Sequence, residues 1–312
     1  MGIHVSVDNF ARAETHRMMH DLQSDAGGIN RFLHNRLPAA VDKQTVIRLN
    51  RDTLYSFAVL DLAAGATFTI PDHGRRYLSA MVVNEDHYIN AIFHDAGEHR
   101  LTQEQFGSRY AVLAVRTLVD PSDSVDLAAV AALQDRIDLD AGSAAAFEMP
   151  DYDTTSFDET RNALLSLARN LSGFDRMFGA QSEVDPVRHL IGTAAGWGGL
   201  PSAEASYIGV DPRLPVGRYE LTVGEVPVDG FWSISMYNAD GFFEPNDRDA
   251  YTINNVTGVR NDDGTITVRF GDHPADAANV LPITEGWNYL VRLYRPRPEV
   301  LDGSWMFPAL AG

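Results

Sequence analysis

Cysteine is absent from this 312-residue chain. That excludes disulfides, thiolate zinc sites, iron–sulfur clusters and cysteine nucleophiles together. Lysine is nearly absent, so amine chemistry has one place to occur, Lys43. Positive charge is scarce overall: 25 Lys+Arg stand against 43 Asp+Glu, for a net charge of −18. Such a surface disfavours nucleic-acid phosphates and anionic membranes as partners. No apolar run reaches the ~18 residues that a spanning helix requires. The first residues, Gly2-Ile3-His4-Val5-Ser6, offer neither a basic segment nor an apolar stretch, so the expectation is a cytoplasmic protein without a secretory signal. There is no Gly-x-Ser-x-Gly elbow, Walker A loop, dinucleotide fingerprint or His-Glu-x-x-His pair. Nothing calls for a cofactor.

What remains is globular. Apolar residues make up 45% and charged residues 22%, and the length suits about two domains of ~100–200 residues. Residues 1–40 read as a helical segment stopped at Gly27-Gly28. Residues 41–122 read as a first β domain. Its strands are expected at 45–49, 54–61, 66–70, 77–83, 88–93 and 110–117, separated by turns such as Pro71-Asp72-His73-Gly74. Residues 123–204 read as a helical connection, with a cap at Asp123 or Ser124 and a Ser156/Glu159 capping box. The glycines of 192–199 read as a tight loop. Residues 205–312 read as a second β domain, with a hairpin at Asp263-Gly264. The expected fold is mainly β: two jelly-roll-like antiparallel sandwiches with an N-terminal helix and a central helical connection.

Three constellations carry the candidate chemistry. Asn50-Arg51-Asp52 with Tyr55 opens an apolar strand. Arg51, or Arg48, suits an anionic group, Asp52 can hold the guanidinium, and Tyr55 can move a proton. The alternative is a buried polar turn in which Asn50 and Asp52 satisfy backbone groups. Asn84-Glu85-Asp86-His87 offers an acid/base pair at His87 with Glu85 or Asp86. The run from Trp232 to Asn238 alternates on a strand. It places Trp232, Ile234 and Met236 on one face and Ser233, Ser235 and Tyr237 on the other. Ser233, Tyr237 and Asn238 then suit a pocket wall to which Tyr251 adds, and Trp232 suits the core or a place against the ligand. His87, His94 and His99 lie close in sequence, but on an extended strand His87 and His94 point to opposite faces, so no metal site is expected.

These strings also carry a resemblance. Arg48-Leu49-Asn50-Arg51-Asp52-Thr53-Leu54-Tyr55-Ser56, Asn84-Glu85-Asp86-His87-Tyr88, Phe231-Trp232-Ser233, Tyr237-Asn238-Ala239-Asp240-Gly241 and Arg292-Leu293-Tyr294 run through nearly the whole chain. It resembles a bacterial two-part family of adjoining domains of unknown function, with a twelve-fifty-four type N-terminal half and a twelve-fourteen type C-terminal half. The resemblance implies two jelly-roll-like domains and a homo-oligomer, and no agreed reaction; some relatives carry a carboxylesterase label, whereas this chain lacks the serine elbow. The reading that follows is a protein that binds, and can convert, a small organic molecule, a carboxylate-bearing one included, in an aromatic, Asn-rich pocket. Its catalytic candidates are Tyr55, His87 and Asp52, and its binding candidates are Asn50, Arg51, Asn84, Trp232, Tyr237, Asn238 and Tyr251. The rival readings are a structural protein assembling through its β surfaces and a metal-dependent cupin-like enzyme.

Overall fold

A computed structural model describes residues 2–44, 47–171 and 173–310. The chain forms two compact units that do not follow its order. The first comprises Met1–Arg36, Leu54–Val119 and Asp123–Pro201. The second comprises Leu37–Thr53, Asp120–Ser122 and Ser202–Gly312. The central helices therefore belong to the first unit, and an early strap, residues 37–53, belongs to the second.

In the first unit, α1 spans Phe10–Asp25. It is followed by β1 (Leu33–His34), β2 (Thr53–Asp61), β3 (Ala66–Ile70), β4 (Leu78–Asn84), β5 (Ile89–Phe93), β6 (Gly97–Leu101), α2 (Gln103–Phe106) and β7 (Tyr110–Leu118). Then come α3 (Ser124–Gln134), β8 (Asp138–Ala141), α4 (Thr154–Ala168) and α5 (Pro186–Gly196). A five-stranded sheet, β1-β2-β7-β4-β5, faces a three-stranded sheet, β6-β3-β8. Strand period sets the core between them: Ala58 and Leu60, Phe68 and Ile70, Leu78, Ala80 and Val82, and Leu113 and Val115 all point inward. Every residue of β4 is buried, so its second face is covered as well.

Sequence cues and observed elements differ where a side chain finds a better partner. α4 is capped by Asp153, whose carboxylate accepts the Ser156 amide at 2.8 Å, so the capping-box serine lies inside the helix. The glycines expected as a loop include the end of α5, capped by Asp185 with Pro186 in the first turn. Gly199, just beyond, has no room for a side chain: a Cβ would lie 2.3 Å from the Phe178 ring. The strand expected at 45–49 falls partly on Thr45 and Val46, outside the described residues; Ile47 and Arg48 form a turn.

The second unit continues with β9 (Ala205–Val210), β10 (Tyr219–Val223), β11 (Trp232–Tyr237), β12 (Thr252–Asn254), β13 (Ile266–Phe270), β14 (Val280–Leu281), β15 (Asn288–Tyr294) and α6 (Pro298–Leu301). A four-stranded sheet, β12-β11-β15-β9, faces a three-stranded sheet, β10-β13-β14. Pairing is antiparallel except for β13 with β14. Trp232, Ile234 and Met236 of β11 join Tyr289, Val291 and Leu293 of β15 in the core against β10 and β13. The fold is thus mainly β, as two sandwiches with accompanying helices.

A single carboxylate anchors one corner of the first unit. Asp61, the last residue of β2, is fully buried. Burial pushes its carboxyl up, but the Arg109 guanidinium at 3.0 Å and the amides of Ala145 and Ala63 outweigh it and hold the pKa at about 2. A depressed native pKa contributes stability that is present above the unfolded value and lost as pH falls toward about 2. Urea unfolding measured across that range should show the loss in wild type. Asp61→Asn should flatten this acid limb and lower neutral-pH stability by about 1–3 kcal/mol.

Candidate functional site

The four-stranded sheet of the second unit has one apolar face and one polar face. Register decides which residues share the polar one. Ser233 pairs with Arg292 and with Asn254, Ser235 with Leu290 and Thr252, and Tyr237 with Asn288. Paired residues point to the same side. Ser233, Ser235, Tyr237, Asn288, Arg292, Thr252 and Asn254 therefore form one layer, with Tyr294 two residues beyond Arg292.

The strap covers this layer. Arg292, 3% exposed, donates from Nη1 to Ser235 Oγ at 2.6 Å. Its Nη2 donates to Tyr237 Oη and to the Arg48 carbonyl, both at 2.8 Å, and to the Leu49 carbonyl at 3.2 Å. Tyr237 Oη in turn donates to the Leu49 carbonyl at 2.8 Å. Burial works against the Arg292 charge. Tyr237, Tyr294 and Asp52 outweigh it and raise the guanidinium above its ordinary pKa. Asp52 is fully buried and accepts from Thr252 Oγ1 at 2.9 Å and Asn254 Nδ2 at 3.3 Å. Its second oxygen and Ser233 Oγ have no hydrogen-bond partner among the described residues.

Asn50 builds the strap's turn. It accepts the Asp52 amide at 2.9 Å and donates to Thr53 Oγ1 and Tyr294 Oη at 3.1 and 3.0 Å. Arg51 donates to the Ala39 carbonyl and lies 4.9 Å from the Tyr251 ring centre. Burial lowers the pKa of both Arg48 and Arg51. Tyr237, Phe243 and Tyr251 form a contiguous aromatic wall beneath the strap, with ring centres 4.8 and 5.5 Å apart. Asn238 is a turn residue: its side chain accepts the Asp240 and Phe242 amides and donates to Glu244.

The structure thus brings Asn50, Arg51, Asp52, Tyr237 and Tyr251 into one layer. The hollow beside Tyr237, Asn238 and Tyr251 measures only about 10 Å³, space for a single water. A larger cavity of about 330 Å³ lies by the other face of β11, bounded by Trp232, Val226, Val228 and Ile266 with Asn255, Arg260 and Thr265. Its volume falls in the range of small-ligand pockets.

The remaining candidates belong to the first unit. Tyr55 stacks on Phe57 at 5.5 Å and lies under the Arg116 guanidinium. Asn84 caps a turn, accepting the Asp86 and Tyr88 amides and donating to the Phe106 carbonyl. That turn holds His87 at φ 64°, fully buried. His87 Nε2 accepts the Gly198 amide at 2.9 Å, which leaves Nδ1–H to donate to Thr193 Oγ1 at 2.8 Å. Its ring stacks between His189 and Trp197. Burial, then His189, pushes its pKa well down, so the ring stays neutral. With both nitrogens engaged, His87 packs α5 against the β4 turn and has no atom left for a substrate. It also makes no pair with Glu85: the histidine on Glu85 is His16, at 3.2 Å. The other two histidines of the cluster bond to carbonyls, His94 to Leu78 and His99 to Asp95. No three His or acidic residues converge as metal ligands among the described residues.

Sequence reasoning missed Arg292 as the centre of the polar layer. The available signal was an arginine inside the otherwise apolar strand Asn288–Tyr294, where a buried charge demands partners. His16 carried no comparable signal.

The family described as "Protein of unknown function (DUF1254)" matches residues 29–113, and that described as "Protein of unknown function (DUF1214)" matches residues 214–298. No curated protein matches the chain. Among solved structures, the VPA0106 protein from Vibrio parahaemolyticus is similar, with a TM-score of 0.74 at 17% identity over 97% of this chain and 96% of that one. An uncharacterised protein from Burkholderia cenocepacia gives a TM-score of 0.54 at 13% identity over 98% of this chain and 86% of that one. Both likenesses concern the fold. No helix among the described residues is long and apolar enough to cross a membrane.

The polar layer makes Arg292 irreplaceable by lysine, whose point charge cannot serve a hydroxyl, a phenol and two carbonyls at once. Arg292→Lys should cost about 2–4 kcal/mol in guanidinium chloride unfolding, against less than about 0.5 kcal/mol for the exposed Arg213→Lys.

Proposed function

We propose, from the premise that the chain carries both of these domains of unknown function, that its second unit binds a small organic molecule beside Trp232. The carrying observation is the cavity of about 330 Å³. Trp232, Val226, Val228 and Ile266 supply an apolar wall, and Asn255, Arg260 and Thr265 supply polar groups that orient a ligand. Glu225 and Asp263 also line it, so both signs of charge are present. The ligand class is a molecule with an aromatic or aliphatic body against Trp232 and a carboxylate toward Arg260.

This moves the ligand from the strap to the opposite side of β11. The layer around Arg292 holds the unit together, while the cavity has the space. Asn255 links the two sides: its Oδ1 accepts the Trp232 amide at 2.8 Å, which fixes the strand at the cavity floor.

Calorimetric titration with benzoate and phenylacetate, compared with neutral benzyl alcohol, tests the reading. Both carboxylates should bind more tightly than the alcohol. Arg260→Ala should weaken them about tenfold, in line with a lost charged hydrogen bond, and leave the alcohol unaffected. Equal affinity for acid and alcohol would remove Arg260 from the site, and no binding of any probe at millimolar concentration would overturn the proposal.

A further inference from the structure

A chain of three titratable side chains in the first unit has the geometry of an activated nucleophile. Helix α1 presents Arg12 and His16 one turn apart, on the same face. The turn after β4 supplies Glu85 and Asp86. Tyr152 precedes α4, and its backbone is pinned on both sides: the Ile3 amide donates to the Asp151 carbonyl at 2.6 Å and the Asp153 amide to the Ile3 carbonyl at 2.8 Å. These supports lie on separate elements, so the side chains meet in one fixed arrangement.

Glu85 accepts the Tyr110 amide at 3.0 Å through Oε1. Its Oε2 lies 3.2 Å from His16 Nε2 and 3.4 Å from Arg12 Nη1. Burial raises the Glu85 pKa, but His16, the Tyr110 amide and Arg12 outweigh it and keep the carboxyl ionised. An ionised carboxylate only accepts, so His16 Nε2 carries the proton. In the neutral imidazole with its proton on Nε2, Nδ1 is the acceptor for the Tyr152 hydroxyl, 2.9 Å away. Phe147 meets the imidazole edge-on at 5.1 Å and holds its plane. Arg12 is tied to Asp86 through both Nε and Nη2, at 2.7 and 2.5 Å, and closes the side of the cluster. His16 is 5% exposed, whereas Tyr152 is half-buried, so the phenol is the member that a reagent reaches. A hydroxyl on a base that is itself oriented by a third group is the arrangement of nucleophilic catalysis.

We propose that Tyr152, His16 and Glu85 form a reactive site, in which Tyr152 Oη attacks small carbonyl electrophiles with His16 as base. As Oη bonds to the carbonyl carbon, its proton passes to His16 Nδ1. The bond from that carbon to the leaving group breaks, and the departing group takes the proton back from His16. Tyr152 is left acylated and His16 neutral. Glu85 is a positioning residue that fixes the tautomer and steadies the transient imidazolium.

N-acetylimidazole is the probe, used in limited amount on the full chain with peptide mass spectrometry as the readout. Tyr110 is the internal reference: it is also half-buried, and its hydroxyl donates to the Ala146 carbonyl rather than to a histidine. Tyr152 should acetylate at least about tenfold faster than Tyr110. Glu85→Gln, which keeps an acceptor for the Tyr110 amide, should bring the ratio toward one with an unchanged circular-dichroism spectrum. His16→Gln should do the same. A wild-type ratio near or below one would overturn the proposal, and this holds even if a variant fails to fold. A high ratio that survives both substitutions would overturn it too, since exposure alone would then explain the reactivity.

Discussion

The buried guanidinium of Arg292 is the constraint on which the second unit depends. A charge taken out of water costs several kcal/mol unless hydrogen bonds replace the lost solvent. Here the replacements come from two places far apart in sequence. Ser235 and Tyr237 belong to the neighbouring strand, and the carbonyls of Arg48 and Leu49 belong to the strap. The sheet therefore cannot bury its polar face until the strap lies on it, and the strap's turn is shaped by Asn50 and Asp52, which bond to Tyr294, Thr252 and Asn254. One arginine thus couples sheet registry to the path of an early segment. Apolar residues could fill the same space, but they would not demand those particular carbonyls.

The alternation of β11 was legible from residue types alone. Trp232, Ile234 and Met236 do enter the core, and Ser233, Ser235 and Tyr237 do share the polar face. Most strands of the first unit were legible for the same reason, since Val, Ile, Tyr and Phe runs between turn residues have few other uses. The strap was not. Asn50 to Asp52 reads as an anion site or a polar turn at the mouth of a strand, yet its partners lie some two hundred residues away, beyond any local pattern. β6, Gly97–Leu101, was missed because its sequence, Gly-Glu-His-Arg-Leu, is polar and mostly exposed. Its pairing with β3 is a matter of backbone register, to which composition is blind, and only Leu101 of its five residues is buried.

The candidate sites separate in the same way. Around Asn50, Arg51 and Asp52 the chemistry-bearing residues are real neighbours that bond to one another and to the sheet, and Asp52 Oδ2 and Ser233 Oγ stand out as atoms without a partner among the described residues. His87 is engaged at both nitrogens, caught between Thr193 and Gly198. Open space lies elsewhere, beside Trp232, and the half-buried phenol of Tyr152 is held by His16. Sequence adjacency pointed from Glu85 to His87, two residues on. Three-dimensional structure gave Glu85 to His16, because a left-handed turn at His87 sends that ring into the interior and α1 occupies the vacated side.

The strap has a consequence for the order of events during synthesis. Residues 37–53 leave the ribosome early, but their partner Arg292 follows about 240 residues later, roughly 10–50 s at ordinary translation rates. The Leu49 carbonyl waits about 190 residues for Tyr237 and that of Arg48 waits for Arg292, while Leu54 onward has its own sheet to join. The boundary at Thr53 must therefore let one side of the chain fold while the other waits. Completion of the second unit is a long-range closure, made when β15 arrives, and the latest-made strand of the sandwich seals one of its earliest-made segments.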